Sequence, residues 1–487
     1  MIKHQTIPRG VIIHYWVLCI LIFKCMQPLD VCAATRSLSD DDTHFLNDVQ
    51  QRTFKWFWDY SNPQNGLTLD RAPRENAFAS IAGVGFALTT YPVAVERGFL
   101  NRNQAVEKTL ATLEFFVKSR QTEDPIQTTG HRGFYYHFLD PQSGLRFRNV
   151  ELSTIDTALM MAGVLFCREY YDMDNRLERR IRELSDFLYR RVEWGWAQVR
   201  GGLISHGWKP ESGMLKHDYK GYNEAMLLYI LALGSPTHPA RDDSWQSFVR
   251  SCTWTEFYGQ PHVNFTPLFG HQYSHVWVDF REIQDDYIRE QGIDYFENSR
   301  RATYAQRSYA IENPMGWKDY SSNIWGLTAC DGPANVELGY LGEKRCFWTY
   351  NARGVSAVRT RDDGTIAPTA AGGSIAFAPE IVIPALRAMV KRYGDDLYTR
   401  YGFVDAFNPS FQFESAKLGH GHGHGHGHGH VTKGKGWFDN EHLGIDQGPI
   451  ILMIENYRSE FVWNVMKRSP YIQAGLKKAG FAGGWLD

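Results

Sequence analysis

The 487-residue chain predicts an all-α fold, an (α/α)6 toroid or barrel with long loops and short β pieces on one face. Three observations predict it. Apolar residues recur at helical spacing in about a dozen successive segments, while strand-like alternation is scarce. Tight turns alternate with long aromatic or glycine-rich loops, so helical hairpins acquire a closed side and an open side. No repeat of fixed period favours an α-solenoid, and no Pro/Ser-rich linker divides residues 35–487, which read as one domain.

In chain order, residues 1–34 read as a secretory signal peptide. Lys3, His4 and Arg9 form a basic start, Val11 to Phe23 an apolar stretch, and Ala33-Ala34 precede a polar segment. The apolar run is shorter than the roughly 20 residues of a spanning helix, so the expected location is periplasmic or secreted. Three of the seven cysteines lie in this leader. Cys167, Cys252, Cys330 and Cys346 remain, too sparse for a disulfide scaffold and without a CxxC metal pattern.

Helices follow at 42–59, 80–97 and 103–120, with Gly98 to Arg102 closing the first hairpin. The loop 62–77 carries Asp70-Arg71, which either lines the open face or forms a surface ion pair. Gly83 and Gly85 sit within an apolar helix and lack the strand–turn–helix setting of a dinucleotide site. The loop 122–150 holds a strand-like piece at 133–139. Further helices are expected at 153–171, 175–192 and 223–233, separated by the aromatic loop 194–222. Later ones fall near 272–281, 293–311, 379–393, 449–466 and 470–479, with long loops at 313–342 and 352–378 and a second strand-like piece at 365–368. Loops of this length in a compact domain are usually functional.

From His420 to His430 the chain alternates His and Gly, a pattern that excludes a stable helix. The insertion, 419–430, reads either as a mobile solvated segment or as a weak site for zinc, nickel or copper. The formal net charge of −2, with no dominant basic patch, points away from nucleic acid and anionic membrane as partners.

The chemistry-bearing feature is repeated. A carboxylate stands where a polar loop becomes an apolar helix, at Glu151-Leu-Ser-Thr-Ile-Asp156 and at Tyr222-Asn-Glu224. Glycoside cleavage needs one carboxylic acid for the leaving oxygen and a second carboxylate for water or carbon. Glu224 is the expected acid. A helix N-terminus favours the ionised form, so burial or a nearby acid must raise its pKa. Capping its helix or pairing with Lys220 is the alternative role. Asp156 and Glu151 follow as candidates, though Ser153 and Asp156 also fit a variant capping box. A third acid, Asp446, precedes the apolar run near Ile450 and has the same two readings.

The segment from Leu268 to Arg281 places His271 and His275 four apart, as metal ligands can be. No HExxH glutamate or third ligand accompanies them, so sugar hydrogen-bonding or core packing is expected and no metal or other cofactor is assigned. Aromatics make up 14% of the chain. Tyr135, Tyr136, Trp194, Trp196, Trp208, Trp317 and Trp325 lie in the loops, and such rings suit either sugar platforms or core. Walker A is absent, and Ser374 lacks the closing glycine of a nucleophile elbow.

With these residues in hand, the chain resembles the glycoamylase-like domain family, which includes the bacterial endo-β-1,2-glucanases of glycoside hydrolase family 144. A domain of cyclic β-1,2-glucan synthases is a distant relation. The resemblance rests on Glu151 to Leu159, Tyr222-Asn-Glu-Ala225, Phe269 to Arg281, Gly326-Leu-Thr-Ala-Cys-Asp-Gly332, Asp363 to Pro368, Gly444-Ile-Asp-Gln-Gly-Pro449 and Glu455-Asn-Tyr-Arg458. It implies an exported (α/α)6 enzyme that hydrolyses β-1,2-glucan, endo-acting and inverting, without metal. The family's acid falls on Glu224; Asp156, Glu151 and Asp446 are the candidates for base. Asp70, Arg71, Trp208, Tyr222, His271, Gln272, His275, Trp325 and Asp331 are expected to bind the glucan. Two alternatives remain: glucoamylase-like action on α-glucans, and a non-catalytic exported glycan- or metal-binding protein.

Overall fold

The computed structural model describes residues 38–413 and 428–487. The leader therefore lies outside the described residues, as does most of the His-Gly insertion; His428 and His430 are inside them. Residues Phe45–Asp487 form one compact unit. Of the unit before it, Met1–His44, the described part comprises residues 38–44, which carry the start of the first helix.

Fifteen α-helices are described. They are α1 Asp40–Tyr60, α2 Ile81–Glu96, α3 Arg102–Lys118, α4 Thr154–Tyr170, α5 Arg176–Arg190, α6 Met226–Gly234, α7 Ser244–Val249 and α8 Tyr273–Trp277. There follow α9 Asp286–Glu290, α10 Tyr295–Glu312, α11 Pro368–Gly372, α12 Pro379–Tyr393, α13 Gly444–Ser459, α14 Phe461–Met466 and α15 Pro470–Lys478.

Within the unit from Phe45 onward, α2 packs on α4, α4 on α6, α6 on α8, α8 and α11 on α13, and α13 back on α2. The ring is closed between α8 and α11 by Gln272, whose amide donates to Ala370 O at 2.8 Å. Six inner helices thus form the ring, and amphipathic helices surround it. The inner ones are buried nearly all round, and every residue of α6 is buried. The outer α5 buries only Glu178, Ile181, Leu184, Ser185, Leu188 and Tyr189, one stripe at helical spacing. This is the (α/α)6 architecture expected. The helices α2 and α4 approach closely. A Cβ on Gly85 would meet Leu159 O at 2.3 Å, and one on Gly163 would meet Gly85 O at 2.2 Å. The glycine that could not serve a dinucleotide serves helix packing.

Some elements differ from expectation. The helix near 272–281 shortens to the five residues of α8, preceded by the 3-10 turn Leu268–His271. The helix near 449–466 begins earlier, at Gly444, and breaks at Glu460, whose φ of 57° is left-handed. Ile366 pairs only as an isolated bridge with Phe407, and Pro368 begins α11. The short α7, α9 and α11 lack the length that would make a periodic signal.

Short strands cluster where the inner helices begin. A five-stranded antiparallel sheet runs Gly130–His131, Phe134–Tyr136, Leu152–Ser153, Gly207–Lys209, Gly213–Met214 and feeds α4. Arg71–Ala72 pairs with His442–Leu443, which feeds α13. Ala329–Cys330 pairs with Asn351–Ala352, and Phe407–Asn408 with Gly436–Asp439. These pairings bring loops distant in sequence to the helix mouths. No described helix is long and apolar enough to cross a membrane.

Candidate active site

At the mouth of α4 Ser153 is the N-cap, and its hydroxyl rather than its backbone N–H engages the Asp156 carboxylate. Ser153 Oγ accepts from Asp156 N at 3.2 Å and donates back to the Asp156 carboxylate. Asp156 Oδ2 also stands 3.6 Å from His137 Nε2, while His137 Nδ1 lies 2.8 Å from Glu151 Oε1. One imidazole therefore bridges both acids of this stretch. Against the cost of burial, Asp156, Glu151 and Asp70 raise the His137 pKa to about 9. Its hydrogen bond to His137 in turn holds Glu151 down to about 2.

At the mouth of α6 the arrangement is different. Its N-cap residue, Ala225, has no capping side chain, and Asn223 Oδ1 accepts from Ala225 N at 2.9 Å. Ser274, at the start of α8, accepts from Leu227 N at 3.0 Å and donates to Glu224 O at 2.9 Å. Asn223 and the neighbouring helix thus do the capping and leave the Glu224 carboxyl free. Its Oε2 is buried without a hydrogen-bond partner. Burial first, then the charge of Asp156, lifts its pKa to about 7, so burial outweighs the helix terminus and its own backbone N–H. Tyr219 turns its phenol toward Glu224, Asp156 and Glu151.

On the opposite wall Asp446 occupies the first turn of α13 without capping it. Its Oδ1 is buried and unpartnered, as are Asp405 Oδ1 and Asp439 Oδ2. Asp405 Oδ2 accepts from Asp331 N at 2.7 Å. Burial and then Asp331 push Asp405 up to about 7. Burial and then the charge of Asp405 drive Asp446 well above the carboxylate range. Two buried carboxyls that cannot both ionise cheaply retain a proton between them. Arg71 ties the rim together, reaching Asp70 at 3.0 Å, Asp331 at 2.6 Å and Glu441 at 3.4 Å. Asp331, Asp439 and Glu441 offer oxygens within 4.8 Å of one another. Among the described residues they are the group able to hold a divalent cation, although Arg71 already engages two of the three.

The two groups of acids are within electrostatic reach of shared neighbours. The phenol of Tyr273, on α8, is influenced by Asp446 and by Glu224. Asp70 feels His137 on one side and Asp331 on the other. Tyr350 is 52% exposed, and burial of its phenol and then the charges of Asp446, Asp405, Asp331 and Asp70 raise its pKa.

The structure therefore brings together Glu151, Asp156, Glu224, Asp446, Asp70, Arg71 and Asp331. The Asp70–Arg71 pair is buried in this network and is not a surface ion pair. The other residues expected to bind glucan flank this group or are buried in packing, Trp208 on the strand that pairs with Leu152–Ser153. Trp208 is partly exposed on the five-stranded sheet, stacked 5.1 Å from His131. Tyr222 lies stacked on Tyr295 at 5.8 Å, and Trp325 is fully buried. Gln272 donates to Ala370 O and to Ser374 Oγ, each at 2.8 Å. His271 and His275 sit in different helical elements. Each is about 1% exposed, with its Nε2 near Phe265 O at 3.2 Å and Ser299 Oγ at 3.0 Å respectively. Burial lowers both pKa values, so they are neutral and engaged in packing.

His137, Tyr219, Tyr273, Tyr350 and Asp405 were not foreseen from the sequence. A usable signal existed for Asp405, a lone acid in the apolar run Tyr401-Gly-Phe-Val-Asp405-Ala-Phe. His137 lies within the strand-like piece at 133–139, but nothing in the sequence pairs it with Glu151.

Residues 216–470 match the glycoamylase family, described as "Putative glucoamylase". An exo β-1,2-glucooligosaccharide sophorohydrolase of Parabacteroides distasonis is 27% identical over 92% of this chain; the chain spans 59% of that relative's length. A crystal structure described as a "putative glucoamylase" from Bacteroides uniformis is 31% identical with a TM-score of 0.77, covering 93% of this chain and 100% of its own. The endo-β-1,2-glucanase of Chitinophaga pinensis, solved with sophorotriose and glucose, is 26% identical with a TM-score of 0.76, covering 92% and 100%.

Proposed function

The chain belongs to the glycoamylase family, and on that premise we propose that it is a glycoside hydrolase that cleaves β-1,2-linked glucan. One observation carries the reading: Glu224 presents a buried carboxyl oxygen without a partner, with a pKa lifted to about 7. Such a group keeps its proton near neutral pH and can deliver it to a glycosidic oxygen. The linkage is supported by relatives whose activities are named for β-1,2-glucans.

The base is assigned to the Asp405–Asp446 pair. Around the ring α13 stands across from α6, whereas Asp156 on α4 is adjacent to Glu224 and engaged by Ser153 and His137. Glu151 is likewise committed to His137. A pair holding one proton retains one negative charge, which takes a proton from water as that water attacks the anomeric carbon. Acid and base on opposite walls leave room for the water and give inversion. Endo action is the proposed mode, read by sizing the products. The leader-like residues 1–34 support a periplasmic or secreted location, tested by cell fractionation.

The decisive assay follows sugar release from β-1,2-glucan and from starch by the wild-type protein and Glu224→Gln. Release from β-1,2-glucan alone, lost in the variant, is expected. Release from starch alone moves the reading to α-glucans, and a fully active variant removes Glu224 as the acid. The anomer first formed, read by proton NMR, separates inversion from retention.

A further inference from the structure

We infer that His137 is a positioning residue whose imidazolium clamps Glu151 and Asp156 and, by offsetting their charge, sets the proton affinity of Glu224. The inference rests on the reading of Glu224 as the acid and goes beyond it, since it gives His137 a role apart from proton delivery and water activation.

The geometry is over-determined. His137 N donates to Glu151 O at 2.9 Å and His137 O accepts from Ile81 N at 3.3 Å, so its backbone is fixed between the sheet and the start of α2. The ring stacks on Phe138 with centroids 3.9 Å apart and planes at 25°. Its two nitrogens then reach the two acids at 2.8 and 3.6 Å. A neutral imidazole could donate to only one of them; a protonated one donates to Glu151 and lies as a charge against Asp156. The groups facing His137 are Glu151, Asp156 and Asp70. Those facing Glu224 are Asp156 and the phenols of Tyr219 and Tyr273, and Lys209 acts on Glu151 from the sheet. His137 is thus the cation placed between the acid pair and the rim.

The sign follows from charge. Replacing His137 by glutamine removes the cation that faces Asp156, the carboxylate that acts on Glu224. More negative surroundings disfavour its ionisation, so its pKa rises. The alkaline limb of the kcat/KM–pH profile should move up by on the order of one pH unit. His137→Lys, which restores a cation, should return the limb toward its wild-type position. A residue that merely supports the fold would lower activity at every pH and leave the limb in place, and that result overturns the inference.

Should the glutamine variant fail to fold, the wild-type protein with labelled imidazole carbons gives an independent reading. The histidine in through-space contact with Phe138 should remain an imidazolium through pH 8. A neutral ring at pH 7 overturns the inference. Glu224→Gln measured alongside separates the two readings: its full activity removes the acid assignment, while the charge state of His137 is read without turnover.

Discussion

At the mouth of α4, Ser153 and Asp156 satisfy each other and His137 takes up the remaining charge. At the mouth of α6, the Glu224 carboxyl accepts from no other residue, because Asn223 of its own turn and Ser274 of a neighbouring helix meet the N–H groups there. Both junctions put an acid between a polar loop and an apolar helix, yet one ends with its carboxylates paired and the other with a proton-bearing acid. The difference is the source of the cap. At α4 the N–H is met by a serine that also donates to the helix's own acid, which ties that acid into the structure; at α6 Asn223 and Ser274 meet the N–H groups and the acid is left available for chemistry.

The largest test of this contrast is activity. Glu224→Gln keeps the shape and removes the proton, and kcat/KM should fall about 10³-fold, the scale of a lost general acid. The companion prediction, from the opposite wall, is that Asp446→Asn lowers kcat/KM about 10²-fold. Its KM should change less than its kcat. If Asp156→Asn proves far more damaging than Asp446→Asn, the base belongs on α4 and the contrast between the junctions fails. In the wild-type protein the alkaline limb should lie near pH 7, where Glu224 loses its proton; a limb above pH 9 would mean another acid.

Much of this was legible in the sequence because the helices are periodic and the acids sit at their mouths. Glu151, Asp156, Glu224 and Asp446 could be placed at one end of the ring from those junctions alone. Their division of labour could not, since it depends on contacts between segments far apart in the chain. Ser274 reaches α6 from about 50 residues away, and Asp405 meets Asp446 only because Phe407–Asn408 pairs with Gly436–Asp439. The histidines of the Phe269–Arg281 segment, read as sugar-binding or core, are core. Spacing of four on a helix suggests a shared face, but the helix there is five residues long and the packing is dense.

A third prediction concerns stability at the mouth of α6. The folded pKa of Glu224 lies above its unfolded value, so its contribution is fully present below pH 4.5 and is lost as pH rises through about 7. Glutamine carries no such dependence. Glu224→Gln should therefore be more stable than wild type at pH 8, by up to about 3 kcal/mol, and nearly equal to it at pH 4. Denaturant unfolding at the two pH values reads this directly. Equal stabilities at pH 8 would show that the carboxyl is better solvated than its unpartnered Oε2 implies.

The smallest effect is expected at the other mouth, and it has the opposite character. Ser153→Ala removes the hydroxyl that accepts from Asp156 N and donates to its carboxylate, a cap worth about 1 kcal/mol. The loss should appear as a lower denaturation midpoint. Turnover should change little, because His137 still holds Glu151 and still stands against Asp156. The two variants together make a crossed pattern, in which Glu224→Gln costs catalysis and adds stability while Ser153→Ala costs stability and spares catalysis. A Ser153→Ala protein that folds but loses activity as deeply as Glu224→Gln would sink the distinction. It would place the capped junction, Asp156 included, in the chemistry itself.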